Sequence, residues 1–192
     1  MPSDQLPVLC FGSVDAWDGW LTEHGGTAAG LWLKIPRAGS GNTGIGYSDA
    51  LDVALCHGWI DGQKGSHDGG YWLQRFTPRK PGSRWSRVNT ERVAALIAAD
   101  RMRPRGLAEV ERAQADGRWE QAYESQSRVT VPEDLARALA ANPRAREFFA
   151  TLDSANRYAV LYRIGAAKRP ETRARRVATF VAMLNEHKKI HP

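Results

Sequence analysis

Residues 54–89 read ALCHGWIDGQKGSHDGGYWLQRFTPRKPGSRWSRVN, and this stretch decides the fold of the first half of the chain. Gly58 follows an apolar helical run and suits the left-handed position that ends a helix. Asp61-Gly62 and Asp68-Gly69-Gly70 are typical of turns, and YWLQRFTP at 71–78 alternates between two sets of side chains, as strands do. The stretch therefore predicts a helix end, a turn region and a strand.

The segments before residue 54 complete the predicted α+β part. Ser13 can cap a helix over residues 14–24, GLWLKIP at 30–36 reads as a short apolar strand, and Ser48 can cap a helix that runs to residue 57. The glycine-rich GNTGIG at 41–46 has neither the dinucleotide spacing nor the P-loop ending, so it reads as a turn. We predict a small N-terminal antiparallel sheet with helices.

Beyond residue 90 every apolar pattern has helical spacing. Segments such as TERVAALIAADRM, PEDLARALAAN and TRARRVATFVAMLNEH are separated by Gly and Pro, and no strand-like alternation recurs. The predicted organisation is an α+β part over residues 1–90, which carries the candidate site, and an all-helical part over 91–192 with a basic C-terminal helix.

Composition limits the class of protein. A chain of 192 residues can bury its own core, and its two cysteines have no paired spacing, so a disulfide framework is not expected. The N-terminus lacks the cations and apolar run of a signal peptide, and no segment has the roughly 18 apolar residues of a membrane span. We expect a cytoplasmic protein without a transmembrane segment.

The net charge of +6 is concentrated in two segments. Residues 64–92 contain seven cations against two carboxylates, and residues 168–192 repeat that balance, so the rest of the chain is mildly acidic. Localised cations of this kind are typical of contacts with an anionic partner, although solvated surface helices produce the same pattern. Whether the two segments share one face is left open.

The first basic segment interleaves cations with aromatic residues, a pattern typical of nucleotide or single-strand binding. Arginine offers a planar fork of donors to phosphate or carboxylate, and indole rings can stack on a base. The competing interpretation is an internal network in which Arg75 and Arg79 pair with carboxylates of the chain. The predicted ligand-binding set is Arg75, Arg79 and Lys80 for charge, Trp59, Trp72 and Trp85 for walls, Asp61 for orientation, and Arg173 from the second segment.

An enzyme is the alternative. Cys56, His57, Asp61 and His67 have the side chains of a nucleophile, bases and an orienting acid. Adjacent residues on a helix point about 100° apart, however, so Cys56 and His57 cannot face each other. No pair has metal-ligand spacing. We therefore predict no catalytic set, no metal and no cofactor, and a buried structural cysteine.

Four blocks of sequence together resemble the YdeI/OmpD-associated family, also called bacteriocin-protection proteins: ALCHGWIDG at 54–62, QRFTPRK at 74–80, SRWS at 83–86 with Asn89, and AKRPETRARR at 167–176. The resemblance implies a small bacterial protein without an established reaction, associated by name with an outer-membrane porin and with resistance to antimicrobial peptides. Members often carry an aromatic residue where this chain has His57, which disfavours a catalytic role for that histidine.

These observations predict a non-enzymatic, anion-binding protein, and the family resemblance implies a link to stress or antimicrobial-peptide resistance. An enzyme acting on a small anionic or nucleotide-like substrate is the alternative. The expected partner is an anionic small molecule or a nucleic acid, and the basic C-terminal helix could instead dock a protein or a membrane. The oligomeric state and the identity of the ligand are left open.

Overall fold

The computed structural model describes residues 6–124 and 128–192. The chain divides into two compact units, residues 1–122 and residues 123–192, which we call the N-terminal unit and the C-terminal unit. The change from mixed to all-helical chain near residue 90 does not coincide with this division, because the next two helices belong to the N-terminal unit.

The N-terminal unit is an α+β structure with one four-stranded sheet. Its elements in chain order are β1 (Val8–Leu9), α1 (Val14–His24), β2 (Leu31–Pro36), α2 (Tyr47–Cys56), β3 (Trp59–Ser66), β4 (Tyr71–Pro78), α3 (Arg87–Ala98) and α4 (Pro104–Ala115). The spatial order of the strands is β1-β2-β4-β3.

The sheet is mixed, which corrects the prediction of an antiparallel sheet. β2 pairs with β4 and β3 pairs with β4 in antiparallel fashion, but β1 pairs with β2 in parallel. The parallel pair arises because α1 lies between β1 and β2 and carries the chain back to the same edge, as a crossover helix does. β1 has only two residues, which is too short for an alternation of apolar and polar side chains to be visible in the sequence.

The strand register separates the sheet into two faces. Leu31, Leu33 and Ile35 of β2 are buried and lie opposite Phe76, Gln74 and Trp72 of β4, so these side chains share the face that packs on the helices. The indole of Trp17 in α1 lies 5.8 Å from the ring of Phe76 and donates to Ala50 O of α2 at 3.0 Å. We call this side the inner face.

β3 contains a bulge where the sequence predicted a turn. Asp61 pairs with Phe76 and Lys64 pairs with Gln74, so β3 has one more residue than β4 over this interval. The buried Gln74 donates from Nε2 to the carbonyls of Gly62 and Gln63 at 2.9 and 3.2 Å. The Asp61-Gly62 dipeptide therefore lies within a strand, since Gln74 supplies the hydrogen bonds that the bulged backbone lacks.

The helix ends follow local rules. Ser13 caps α1 by accepting from Ala16 N, as predicted, and Gly58 has the predicted left-handed conformation with φ of 74°. The residue before α2 is Gly46, so the prediction that Ser48 caps this helix was wrong. The side chain of Ser48 instead accepts a hydrogen bond from Arg92.

The C-terminal unit is helical, as predicted for this part of the chain. Its helices are α5 (Glu133–Ala140), α6 (Pro143–Thr151), α7 (Ser154–Gly165) and α8 (Pro170–Asn185). Their apolar stripes form a separate core with fully buried Leu135, Ala145, Val160, Ile164 and Leu184. Within the described residues, no helix is both long and apolar enough to span a membrane.

Candidate functional site

Arg75 lies in the middle of β4 on the side of the sheet opposite the inner face. Its Cα partner in β2 is Trp32, and a methyl group added to Gly62 of the bulge would contact Arg75 Cβ and Cδ at 3.8 Å. Arg75 Nε is buried, and within residues 6–124 and 128–192 it has no hydrogen-bond partner. A buried guanidinium N–H without an acceptor is an unsatisfied donor, and an anion would satisfy it.

The residues around Arg75 form a partly exposed surface that we call the outer face. The outward side chains alternate with buried ones along β2 and with buried Gln74 and Phe76 along β4. All the outward residues are intermediate in exposure. Its members are Trp32, Lys34 and Pro36 of β2, Tyr71, Leu73, Arg75 and Thr77 of β4, and Ile60 and Gly65 of β3. This set contains two cations and no carboxylate.

The aromatic residues of the outer face lie close to its cations or extend over the sheet. The six-membered ring of Trp32 reaches across β4 to β3, where a Cβ at Gly65 would contact it at 3.4 Å. Lys34 Nζ lies 5.7 Å from the centroid of the Tyr71 ring. The nearby Asp68 accepts from the amides of Gly70 and Tyr71 at 2.8 Å, and these bonds lower its pKa.

Arg79 has a different setting from Arg75. It is buried, and its guanidinium carbon lies 3.4 Å from the ring centroid of Trp85. Arg79 NH1 donates to Arg84 O at 3.4 Å, and its backbone amide donates to Gly58 O at 3.0 Å. Trp85 is itself buried against Trp119, with ring centroids 4.9 Å apart. Arg79 and Trp85 therefore pack on each other within the N-terminal unit.

The other predicted wall residues belong to the inner face. Trp59 is 1% exposed and donates from Nε1 to Gly25 O at 3.0 Å. Trp72 lies 5.9 Å from the ring of Tyr47. Asp61 accepts from Tyr47 OH at 2.8 Å, and burial together with this carboxylate raises the pKa of Tyr47. Trp59 is thus held in the helical core, and Trp72 and Asp61 both contact Tyr47, so these side chains are not arranged around Arg75.

Lys80 and Arg173 complete the predicted set. Lys80 is exposed just after β4. Arg173 belongs to α8 of the C-terminal unit, where its Nε and NH2 donate to the two carboxylate oxygens of Asp134 at 2.6 and 3.0 Å. This hydrogen bonding raises the pKa of Arg173 and lowers that of Asp134. Arg173 thus has an internal carboxylate partner, whereas Arg75 has none within residues 6–124 and 128–192.

The side chains considered for catalysis do not form a nucleophile and base. Buried His57 lies 2.8 Å from Asp18 Oδ1, and Arg103 donates to the other oxygen of Asp18 at 2.6 Å. Burial raises the pKa of the Cys56 thiol, which disfavours the reactive thiolate. His67 Nε2 lies 3.4 Å from Asp68 at the partly exposed hairpin. Within the described residues, no three His, Cys, Asp or Glu side chains cluster as a metal site.

Sequence reasoning missed Trp32 and Lys34 as members of the same surface as Arg75, whereas the alternation of YWLQRFTP places Tyr71 on the side of Arg75. The signal was present in LWLKIP, where Trp32 and Lys34 are two residues apart and hence point to one side of a strand. Their proximity to Arg75 depends on the pairing of β2 with β4, which the sequence does not reveal.

The fold and this surface define a two-unit α+β protein with an accessible basic and aromatic sheet face. The chain belongs to the family described as a domain of unknown function, DUF8412, whose model matches residues 9–109. Residues 128–187 match the family described as Bacteriocin-protection, YdeI or OmpD-Associated, which confirms the resemblance. Of the four sequence blocks, AKRPETRARR lies within this second match and the other three lie within the first. Searches of curated proteins and of solved structures gave no match.

Proposed function

We propose that the N-terminal unit binds an anionic ligand on its outer face, with Arg75 as the main anchor, and does so without chemical turnover. The observation that carries the proposal is the absence of a hydrogen-bond partner for the buried Arg75 Nε among the described residues. Removing a guanidinium N–H from water without an acceptor is unfavourable, and a bound phosphate or carboxylate would relieve that cost.

The surroundings of Arg75 support an anion rather than another cationic or neutral partner. Lys34 is the second cation of the outer face, and besides the backbone hydrogen bonds its charge contributes to the lowered pKa of the neighbouring Asp68. No member of the outer face itself is acidic, and Arg75 has no carboxylate partner among the described residues. Positive groups on a solvent-accessible surface attract anionic ligands from solution and lose that attraction as salt rises. Binding should therefore weaken with ionic strength.

The proposal changes the predicted ligand-binding set. Arg75 stays at its centre, whereas Lys80, an exposed cation beyond the end of β4, is left out of the proposed set. Trp59, Trp85 and Arg79 take structural roles because they are buried with partners of their own. The C-terminal unit, whose family is described by bacteriocin protection, would connect this binding to antimicrobial-peptide resistance.

The proposal is tested by titrating the full chain with inorganic phosphate and with ATP at low and moderate salt, using calorimetry. We expect saturable binding that weakens with salt, and a loss of about tenfold or more in affinity for Arg75→Ala, because one charge-assisted interaction contributes about 1.5–3 kcal/mol. Lys80→Ala is the matched control, since it removes the same charge from an exposed position.

We expect Lys80→Ala to change the affinity by about twofold or less, because an exposed charge contributes little. Equal losses of affinity in Arg75→Ala and Lys80→Ala would show that binding depends on the net charge of the chain and not on Arg75 as an anchor. No binding of either ligand by the unaltered chain would contradict the proposal outright.

A further inference from the structure

We infer that the anionic ligand of the outer face is a single-stranded nucleic acid, an inference that rests on the proposed function and specifies its ligand. The observation behind it is the arrangement of two aromatic residues and two cations on one accessible sheet face. Stacking platforms beside positive groups are the features by which proteins hold single strands.

The register places these groups in rows across β2 and β4. Trp32 lies opposite Arg75, Lys34 lies opposite Leu73, and Pro36 lies opposite Tyr71. Successive rows on one face are about 7 Å apart, because a strand rises about 3.3 Å per residue. Trp32 and Tyr71 therefore lie at the two ends of a span of about 13 Å. Arg75 lies in the same row as Trp32, and Lys34 lies in the middle row. A short extended oligonucleotide can lie along this span.

The Trp32 ring has the placement that a base-stacking residue needs. It extends across β4 to Gly65, whose missing side chain leaves room for the indole against the sheet. The residue is only partly buried, whereas Trp17, Trp59 and Trp85 are enclosed in the core. Because the ring is supported by the sheet and remains accessible, a base can stack on it with little loss of side-chain freedom.

The same features favour a single strand over a duplex. Rings on a sheet face can contact bases only when those bases are unstacked, and the bases of a duplex are stacked on one another. Two cations on a face without carboxylates can pair with phosphates of the same strand. A phosphate-only ligand would make no use of Trp32 and Tyr71, so the aromatic residues separate the two ligand classes.

The test is a fluorescence-anisotropy titration of the full chain with a labelled oligothymidylate of about 12 nucleotides, a length within the usual site sizes of such surfaces. We expect binding tighter than that of ATP and of the matching duplex. Trp32→Ala should weaken binding by about tenfold, and Trp32→Phe should restore most of it, because stacking on an aromatic face is tolerant of ring type.

The salt dependence supplies an independent readout. Each phosphate neutralised on a single strand contributes about −0.7 to the slope of log K against log salt concentration, so Lys34 and Arg75 together predict about −1.4. Arg75→Gln should reduce the slope to about −0.7, and Lys80→Ala should leave it unchanged.

The remaining outcomes overturn the inference in distinguishable ways. If phosphate and ATP bind through Arg75 but the oligonucleotide binds no tighter and ignores Trp32→Ala, the proposed function stands and the nucleic-acid inference fails. Preference for the duplex, or binding that requires Arg175 and Arg176 instead of the outer face, also overturns it. If no anion binds at all, both fail.

Discussion

The inner and outer faces of the sheet contain similar residue types in opposite situations. On the inner face, Trp59 and Phe76 are fully buried and the carboxylate of Asp61 is held by Tyr47. On the outer face, Trp32 is partly exposed and Arg75 Nε has no hydrogen-bond partner among the described residues. The comparison shows that residue type alone does not distinguish a site from a core, whereas the exposure and packing of each side chain do.

Arg75 and Arg79 illustrate this difference within one segment. They are four residues apart in one basic segment, so the sequence predicted one role for both. Arg79 is buried on the ring of Trp85, while Arg75 lies among accessible residues of the outer face. A substitution at Arg79 should affect stability, and one at Arg75 should affect binding.

The largest expected effect tests the inner face. Trp17→Ala should lower the free energy of unfolding by about 3–5 kcal/mol, because it leaves a large cavity and removes the hydrogen bond to Ala50. Urea unfolding followed by circular dichroism measures this change. Trp32→Ala is the control from the outer face, and a loss as large as that of Trp17→Ala would contradict the distinction between the two faces.

The second-largest expected effect on stability concerns Asp18 of α1, a helix that packs on the inner face. Burial opposes ionisation of Asp18, but hydrogen bonds and charge from Arg103 and His57 lower its pKa overall. A carboxylate with a lowered pKa stabilises the fold above its unfolded value of about 3.9, and this contribution is lost as pH falls through the folded pKa.

Asp18→Asn should therefore destabilise the chain by about 2 kcal/mol at neutral pH, the usual range for hydrogen bonds to a charged group. The difference from the unaltered chain should shrink in acid, which urea unfolding at a series of pH values measures. Asp15→Asn removes an exposed carboxylate from the same helix and is the control. A difference that persists unchanged in acid would show that the carboxylate charge is not the cause.

A smaller effect separates the two arginines. Arg79→Ala should cost about 1–2 kcal/mol of stability, because it removes a desolvated cation–π contact and the bond to Arg84 O. Arg79→Lys should recover only part of this loss, since an ammonium lacks the planar stacking surface. If Arg79→Lys is as stable as the unaltered chain in thermal unfolding, stacking of the guanidinium on the Trp85 ring does not contribute to stability.

The smallest expected effect is on stability at the outer face. Arg75→Ala should change the free energy of unfolding by about 0.5 kcal/mol or less, because its buried Nε forms no hydrogen bond with any described residue that the substitution would break. The same unfolding measurement checks it. A loss of about 2 kcal/mol would indicate an internal role and would remove the basis for placing a ligand there.

Much of the secondary structure could be predicted because it is encoded locally. Helices α1 and α8 follow from apolar residues three and four apart, and the left-handed Gly58 follows from its place after an apolar run. The parallel strand β1 could not be predicted, since two residues show no alternation. The bulge in β3 depends on hydrogen bonds from Gln74, which is distant in sequence.

The site could be predicted only in part for a related reason. Alternation along YWLQRFTP correctly separates Trp72 from Arg75, but period-two spacing does not tell which set faces the helices. The prediction therefore combined Trp59 and Trp85, which are buried, with Arg75, which is accessible. Trp32 was missed because its contact with the site comes from strand pairing alone.

The most direct test of the central claim is a nuclear magnetic resonance titration of the isotopically labelled full chain with ATP and with the oligothymidylate. We predict that the amide shifts of Trp32, Lys34, Leu73 and Arg75 change most, while those of Trp59, Arg79 and Trp85 change little. Changes centred on Arg79 and Trp85 or on residues 163–176, or no changes at any concentration, would contradict the assignment of ligand binding to the outer face.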